Sequence, residues 1–361
     1  TMFANTSAAI VASRTCTTMG RPQMGCRGFG TVDRMRLPSP AAKMTTQVGR
    51  FTPLSLAVPR YDVRVNHIAY DEFAYFAENL AEWGLDLPLP EVRRRSLAVD
   101  GERQLSALLW GEAPYEALFV HGGAQNAHTF DTVALALQRS LIAVDLPSHG
   151  HSDAGPYGPT AISQHANDLA TATAALLDGP RVLVGMSLGG LTSLLLAHRH
   201  PELVSALVLV DITPGVTSGK ARHITDFVNG PKSFPDFDAL LARTAEFNPT
   251  RTLSSLRRGI LHNAIQVEDG SWVWRHQRHA ASPLTAPAVE NLWEILEQLT
   301  MPVTLLRGMA AGSVVDDLDE VEFLRHQPTG TVIHVDGAGH SIQGDAPVVM
   351  AEILAAVISK K

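Results

Sequence analysis

Six short apolar runs, five of them followed by a stretch with helical spacing, restrict this chain more than any other feature. ALFV (117–120), LIAVD (141–145), RVLVGM (181–186), SALVLVD (205–211), PVTLLRG (302–308) and TVIHVD (331–336) are apolar along most of their length. A strand with one wet face alternates apolar and polar residues, whereas a strand covered on both faces does not. Strands of the second kind, alternating with helices, imply a parallel sheet with helices on both sides and right-handed crossovers. Ahead of this series, RRSLAVD (94–100) and LSALLWG (105–111) flank Asp100-Gly101, a hairpin signal. The predicted class is α/β, with a mostly parallel sheet.

The rhythm breaks between residues 214 and 299. This segment carries Phe247, Trp272, Trp274 and Trp293 and shows no obvious strand, so a helical cap is expected after the strand that ends at Asp211. The three tryptophans either form the small core of that cap or line a substrate pocket, and the first reading is favoured. The α/β core is then 94–213 and 300–361. Residues 61–93 form a lead-in, where DEFAYFAENLAEWG (71–84) spaces Phe73, Phe76, Ala77, Leu80 and Trp83 as a helix that Gly84 can stop.

Residues 1–60 are different in kind. They are rich in Ser, Thr, Met, Pro and Gly and hold eight basic residues against one acidic residue, Asp33, a net of +7. The rest of the chain holds 21 basic and 35 acidic residues, a net of −14. The segment is expected to be a disordered tail, with an organelle transit peptide as the alternative. The expected location is accordingly the cytoplasm, or an organelle if the tail is a targeting signal. An acidic body is a poor match for nucleic acid, whose binding depends on basic side chains. No run of apolar residues is long enough to suggest a membrane span. Cys16 and Cys26 both lie in the tail, so the folded body needs no disulfide and offers no cysteine metal site. Oligomeric state has no signature in the sequence.

Three motifs carry chemistry. Gly185-Met186-Ser187-Leu188-Gly189 follows an apolar strand and runs into a helix. A serine nucleophile has to stand clear of the sheet on a tight turn, and flanking glycines remove the Cβ atoms that would clash. Gly337-Ala338-Gly339-His340 follows the last apolar strand, at the end of the sheet where open α/β folds place their sites. Imidazole is the base suited to activating a hydroxyl, so His340 is the candidate partner of Ser187. His121-Gly122-Gly123 follows ALFV, where backbone amides can face a developing oxyanion; the expected donors are those of Gly123 and Leu188. His149-x-His151 has the look of a metal pair but lacks further ligands at a known spacing, and no metal is expected there.

With HGG (121–123), DLPSHGHSD (145–153), VGMSLGG (184–190), LVLVDITPG (207–215) and GAGHSIQGDAP (337–347) in this order, the chain resembles the α/β-hydrolase superfamily, specifically its serine-nucleophile, esterase-like bacterial branch. The resemblance covers about residues 94–358, with the cap similar only in general character. Ser148 departs from it, standing where the family usually has glycine, with little consequence expected. The family's usual place for the triad acid is the loop after PVTLLRG. Here that loop, 309–313, has no carboxylate before Asp316 and Asp317. Some members supply the acid from the end of the preceding strand, which is Asp211. Asp211 is therefore favoured, with Asp316 as the alternative acid; a structural reading of Asp211 is a cap on the turn through Thr213 and Gly215.

The expected activity is hydrolysis of a carboxylic ester or related acyl bond on a small-molecule substrate, through an acyl-enzyme and without a cofactor. Carbon–carbon bond hydrolases and cofactor-free perhydrolases keep a serine at this turn and stand as alternatives. Members that attack with a carboxylate are disfavoured by Ser187. A non-catalytic ligand-binding relative is the remaining class, disfavoured because Ser187 and His340 are both present.

Overall fold

A computed structural model describes residues 68–155, 161–276 and 291–360. The expectations for residues 1–60 and for the start of the lead-in lie outside these. Eight strands form one sheet: β1 (Val92–Ala98), β2 (Gln104–Trp110), β3 (Ala117–Val120), β4 (Leu141–Val144), β5 (Arg181–Met186), β6 (Val204–Val210), and the two late strands 303–308 and 331–335. Between β6 and the late pair come three shorter strands: β7 (Ser233–Phe234), β8 (Ala264–Gln266) and β9 (Trp272–Trp274). The late pair are then β10 (Val303–Gly308) and β11 (Thr331–Val335), and the sheet order is β1-β2-β4-β3-β5-β6-β10-β11. β2 runs antiparallel to β1 and β4, and every other pairing in the sheet is parallel.

The helices are α1 (Phe76–Glu82), α2 (Asp131–Leu137), α3 (Ala161–Thr173), α4 (Leu188–Arg199), α5 (Arg222–Val228), α6 (Phe237–Phe247), α7 (Leu253–Asn263), α8 (Leu292–Gln298), α9 (Asp317–His326), α10 (Ile342–Asp345) and α11 (Pro347–Ile358). Successive strand residues point to opposite faces, and this sorts them into two cores. Leu118, Val120, Leu183 and Leu209 pack with α3, α4, α8 and Phe323 of α9. Ala117, Phe119, Val184 and Val210 pack with α1, α2 and α11. Both layers are dry, which is why the strands carry no polar alternation. Burying each large side chain in them stabilises the fold by about 1.5–3 kcal/mol.

Two expectations for the inserted segment need correction. It is not purely helical: β7, β9 and β8 form a small antiparallel sheet beside α5, α6 and α7. These strands are too short for a periodic signal, and Phe234 and Trp272 hold them by burial against Leu240, Ile260 and Leu261. Moreover, α8 belongs to the α/β core, since Leu292, Ile295 and Leu296 pack in the same layer as α4. The tryptophans divide accordingly. Trp272 and Trp274 pack in the cap, while Trp293 packs against the core layer and stacks on His326 at 5.0 Å.

Candidate active site

Ser187 occupies the turn between β5 and α4 with φ 50° and ψ −118°, a left-handed conformation that costs a non-glycine residue about 1–3 kcal/mol. The strain is held by close packing around the turn. A Cβ at Gly185 would lie 2.5 Å from both the Gly189 carbonyl oxygen and Ser193 Oγ, and one at Gly189 would overlap the Val120 carbonyl at the end of β3. The turn can therefore close only with glycine at both places. The Ser187 carbonyl accepts from the amides of Gly190 and Leu191 at 2.9 and 3.1 Å, so α4 starts immediately below the hydroxyl.

Asp211 directly follows β6, fully buried, with φ 47°. Its Oδ1 accepts from the Gly308 amide at 3.0 Å and from Ser313 Oγ at 2.6 Å. Its Oδ2 accepts from the Val314 amide at 3.0 Å and lies 2.9 Å from His340 Nδ1. An ionised carboxylate can only accept, so Nδ1 carries the proton and Nε2 keeps its lone pair. The loop after β10 thus supplies donors to Asp211. The turn beyond Asp211 is capped by Thr213, whose Oγ1 accepts from the Gly215 amide at 3.2 Å.

Asp316, the alternative acid, is engaged elsewhere. It caps α9, accepting from the Leu318 and Asp319 amides at 3.0 Å each, and pairs with Lys220 Nζ at 2.7 Å. The Lys220 hydrogen bond holds its pKa below the ordinary carboxylate value. Its side chain is committed to the helix end and to Lys220, with no contact to His340.

Ser187 and His340 line one cavity of about 590 Å³. They are not joined by a direct hydrogen bond among the described residues; in unliganded enzymes such contacts are commonly long and tighten when substrate binds. Gly123 and Leu188 line the same cavity, and neither of their amides has a hydrogen-bond partner among the described residues. Apolar side chains of Met186, Leu188, Ile224, Phe227, Val228 and Phe247 form much of the wall.

Two histidines pin the HGG loop. His121 Nδ1 donates to the Gly122 carbonyl at 2.7 Å, and its Nε2 accepts from the Leu146 amide at 2.9 Å. His149 Nδ1 donates to the Pro147 carbonyl at 2.9 Å, and its Nε2 accepts from the Ala124 amide at 3.1 Å. Each imidazole must be neutral to accept. Burial enforces this, pushing His121 down to about 3 and His149 below its ordinary value. The sequence offered His149 only as half of a doubtful metal pair. Ser148, next to it, has φ 65°, so the position keeps the left-handed backbone of a glycine and holds the Gly155 amide on its Oγ at 2.9 Å.

One trio among the described residues, His128, Asp131 and His262, brings possible metal-ligand atoms within 4.8 Å of one another. Its two rings stack 3.9 Å apart at 11°, so their in-plane lone pairs run side by side instead of converging on an ion. His128 Nδ1 already meets Asp131 at 2.9 Å and its Nε2 meets Glu72 at 3.2 Å. The arrangement is a buried hydrogen-bonded stack.

The fold and this constellation define a class. Residues 118–347 match the family model described as alpha/beta hydrolase fold, more than half of the chain, and the chain belongs to that family. It is an α/β-fold hydrolase. The chain is similar to Esterase Rv0045c of Mycobacterium tuberculosis, 40% identical over 301 residues that cover 81% of this chain and 97% of the relative. A crystal structure of that esterase matches with a TM-score of 0.70 at 39% identity, covering 81% of this chain and 99% of the other. It is also 28% identical to 2-(acetamidomethylene)succinate hydrolase of Mesorhizobium japonicum, over 64% of this chain and 83% of that one. No helix among the described residues is long and apolar enough to cross a membrane.

Proposed function

We propose that the chain hydrolyses a carboxylic ester through a Ser187 acyl-enzyme, with His340 as general base and Asp211 as the acid that holds it. The observation that carries this reading is the 2.9 Å contact between Asp211 Oδ2 and His340 Nδ1, made in the cavity that Ser187 lines. With Nδ1 committed to the carboxylate, Nε2 is the atom free to take the Ser187 proton. Oγ attacks the ester carbonyl, and the oxyanion that forms is held by the unpartnered Gly123 and Leu188 amides. The imidazolium, stabilised by Asp211, then protonates the departing alcohol. Water enters, His340 removes its proton as the oxygen attacks the acyl carbonyl, and the imidazolium returns that proton to Ser187 Oγ as the carboxylic acid leaves. No step calls for a cofactor.

The 40% identity to an esterase over most of both chains supports the same chemistry. The largely apolar wall suits an acyl chain. A cytoplasmic location belongs to the same reading and is tested by fractionation together with mass spectrometry of the mature N-terminus. The activity is tested with p-nitrophenyl acetate, butyrate and octanoate. Hydrolysis by the wild-type protein and its loss in Ser187→Ala support the reading, whereas turnover that survives Ser187→Ala removes it.

A further inference from the structure

Arg251 lies in the turn between α6 and α7 and has no ion-pair partner among the described residues. Its one side-chain hydrogen bond among the described residues is from Nη2 to Ser255 Oγ at 2.5 Å. Asp345 and Glu82 are the carboxylates that act on it, both from beyond ion-pair distance. Asp345 Oδ2 already accepts from the Gly339 amide at 3.0 Å, and Glu82 is paired with Arg258. Arg251 is partly buried, and burial, which works against its charge, lowers its pKa below the ordinary value with no paired carboxylate among the described residues to offset it.

The seat of Arg251 is built close to the reacting groups. A Cβ on Gly344 would overlap its Nη1, so the guanidinium lies against the backbone of α10, in the turn that follows His340. Arg251 also lines a side cavity of about 190 Å³. Ala124, Gln125, Phe227, Asn248 and Ser341 line both this cavity and the larger one that holds Ser187. The Ser341 hydroxyl has no partner among the described residues, and the Ser255 hydroxyl, which accepts from Arg251, keeps its own proton to donate. A cation and two hydroxyl donors therefore line a small space that adjoins the ester site.

We propose that this side cavity is a carboxylate subsite, so that the preferred ester carries a carboxylate remote from its scissile bond. Arg251 binds that group through charge-assisted hydrogen bonds, and Ser255 and Ser341 donate to its second oxygen. The small volume and the nearby Asp345 favour a monoanion over a phosphate dianion. The inference rests on the Ser187 reading for its chemistry, though not for its binding.

Two measurements on the full chain test it. Hydrolysis of monomethyl adipate is compared with that of methyl hexanoate, an uncharged ester of equal length. Arg251→Met is expected to lower kcat/KM for the adipate at least tenfold, chiefly through KM, and to leave the hexanoate within about twofold. Arg251→Lys is expected to recover part of the loss. A purely structural role for Arg251 would lower both esters alike, and that result overturns the proposal. Independently of turnover, Ser187→Ala protein is titrated calorimetrically with monomethyl and dimethyl adipate. The monoanion is expected to bind at least tenfold more tightly, and equal affinities overturn the subsite. Failure of every ester to react, with the monoanion still preferred, would count against the Ser187 chemistry alone.

Discussion

Asp211 Oδ2 lies 2.9 Å from His340 Nδ1, and its carboxylate receives three further hydrogen bonds, one from the last residue of β10 and two from the loop that follows it. The carboxylate is thereby fixed in one orientation. Asp211→Asn should keep the shape but present the wrong hydrogen-bonding partner to Nδ1, lowering kcat by about 10⁴-fold. Asp316→Asn should stay within about twofold of wild type, because asparagine caps a helix as well as aspartate does. Steady-state kinetics on p-nitrophenyl butyrate separate the two, and a larger loss in the second variant would reverse the assignment.

Ser313 Oγ donates to Asp211 at 2.6 Å and touches no other part of the proposed triad. It acts by positioning. Ser313→Ala removes one charge-assisted bond of about 1.5–3 kcal/mol, shared between the fold and the orientation of His340. The expected result is a roughly tenfold lower kcat with KM little changed. An unaltered kcat would show that the two backbone amides suffice.

His149→Phe keeps a ring of similar size but cannot accept from the Ala124 amide. The HGG loop then loses one of its two imidazole anchors and leaves a buried donor unmet, at a cost of about 1–3 kcal/mol. A lower Tm is expected, together with a fall in kcat of about ten- to a hundredfold as the Gly123 amide loses its aim. A change in Tm without a change in kcat would separate this loop from the oxyanion.

His128 gives the fold a dependence on alkaline pH. Burial alone would lower its pKa, but Asp131 and Glu72 outweigh it and hold the ring at about 9. The folded value lies above the unfolded one of 6.5, so this stabilisation is fully present below about pH 6.5 and is lost as pH rises through 9. His121 has the opposite sign: its pKa of about 3 removes stability as pH falls below 6.5. Thermal unfolding from pH 6 to pH 10 should show wild type losing more Tm than His128→Gln. Parallel curves would mean that His128 is neutral in the fold.

The strands and the turn at Ser187 were legible because dryness on both faces and tight closure each leave a mark in residue type. Asp211 was legible by its place at a strand end, which favoured it over Asp316, and the fold adds the partners of each carboxylate. The donors that hold it include the amides of Gly308 and Val314, and a backbone amide has no residue signature. His149 was hidden for a related reason, since its partners are also main-chain groups. The sheet of the cap escaped because β7 has two residues and β8 and β9 three each, less than one period of alternation can reveal. Trp293 looked like a cap residue by neighbourhood, but the helix that carries it turns its apolar side to α4.

Covalent labelling addresses the central claim most directly. Wild-type protein is treated with a fluorophosphonate, digested and mapped by mass spectrometry, beside Ser187→Ala and Asp211→Asn. The account predicts one adduct, on the peptide containing Ser187, absent from the first variant and formed far more slowly in the second. An adduct on another serine, or full labelling and ester hydrolysis in Ser187→Ala, would contradict it.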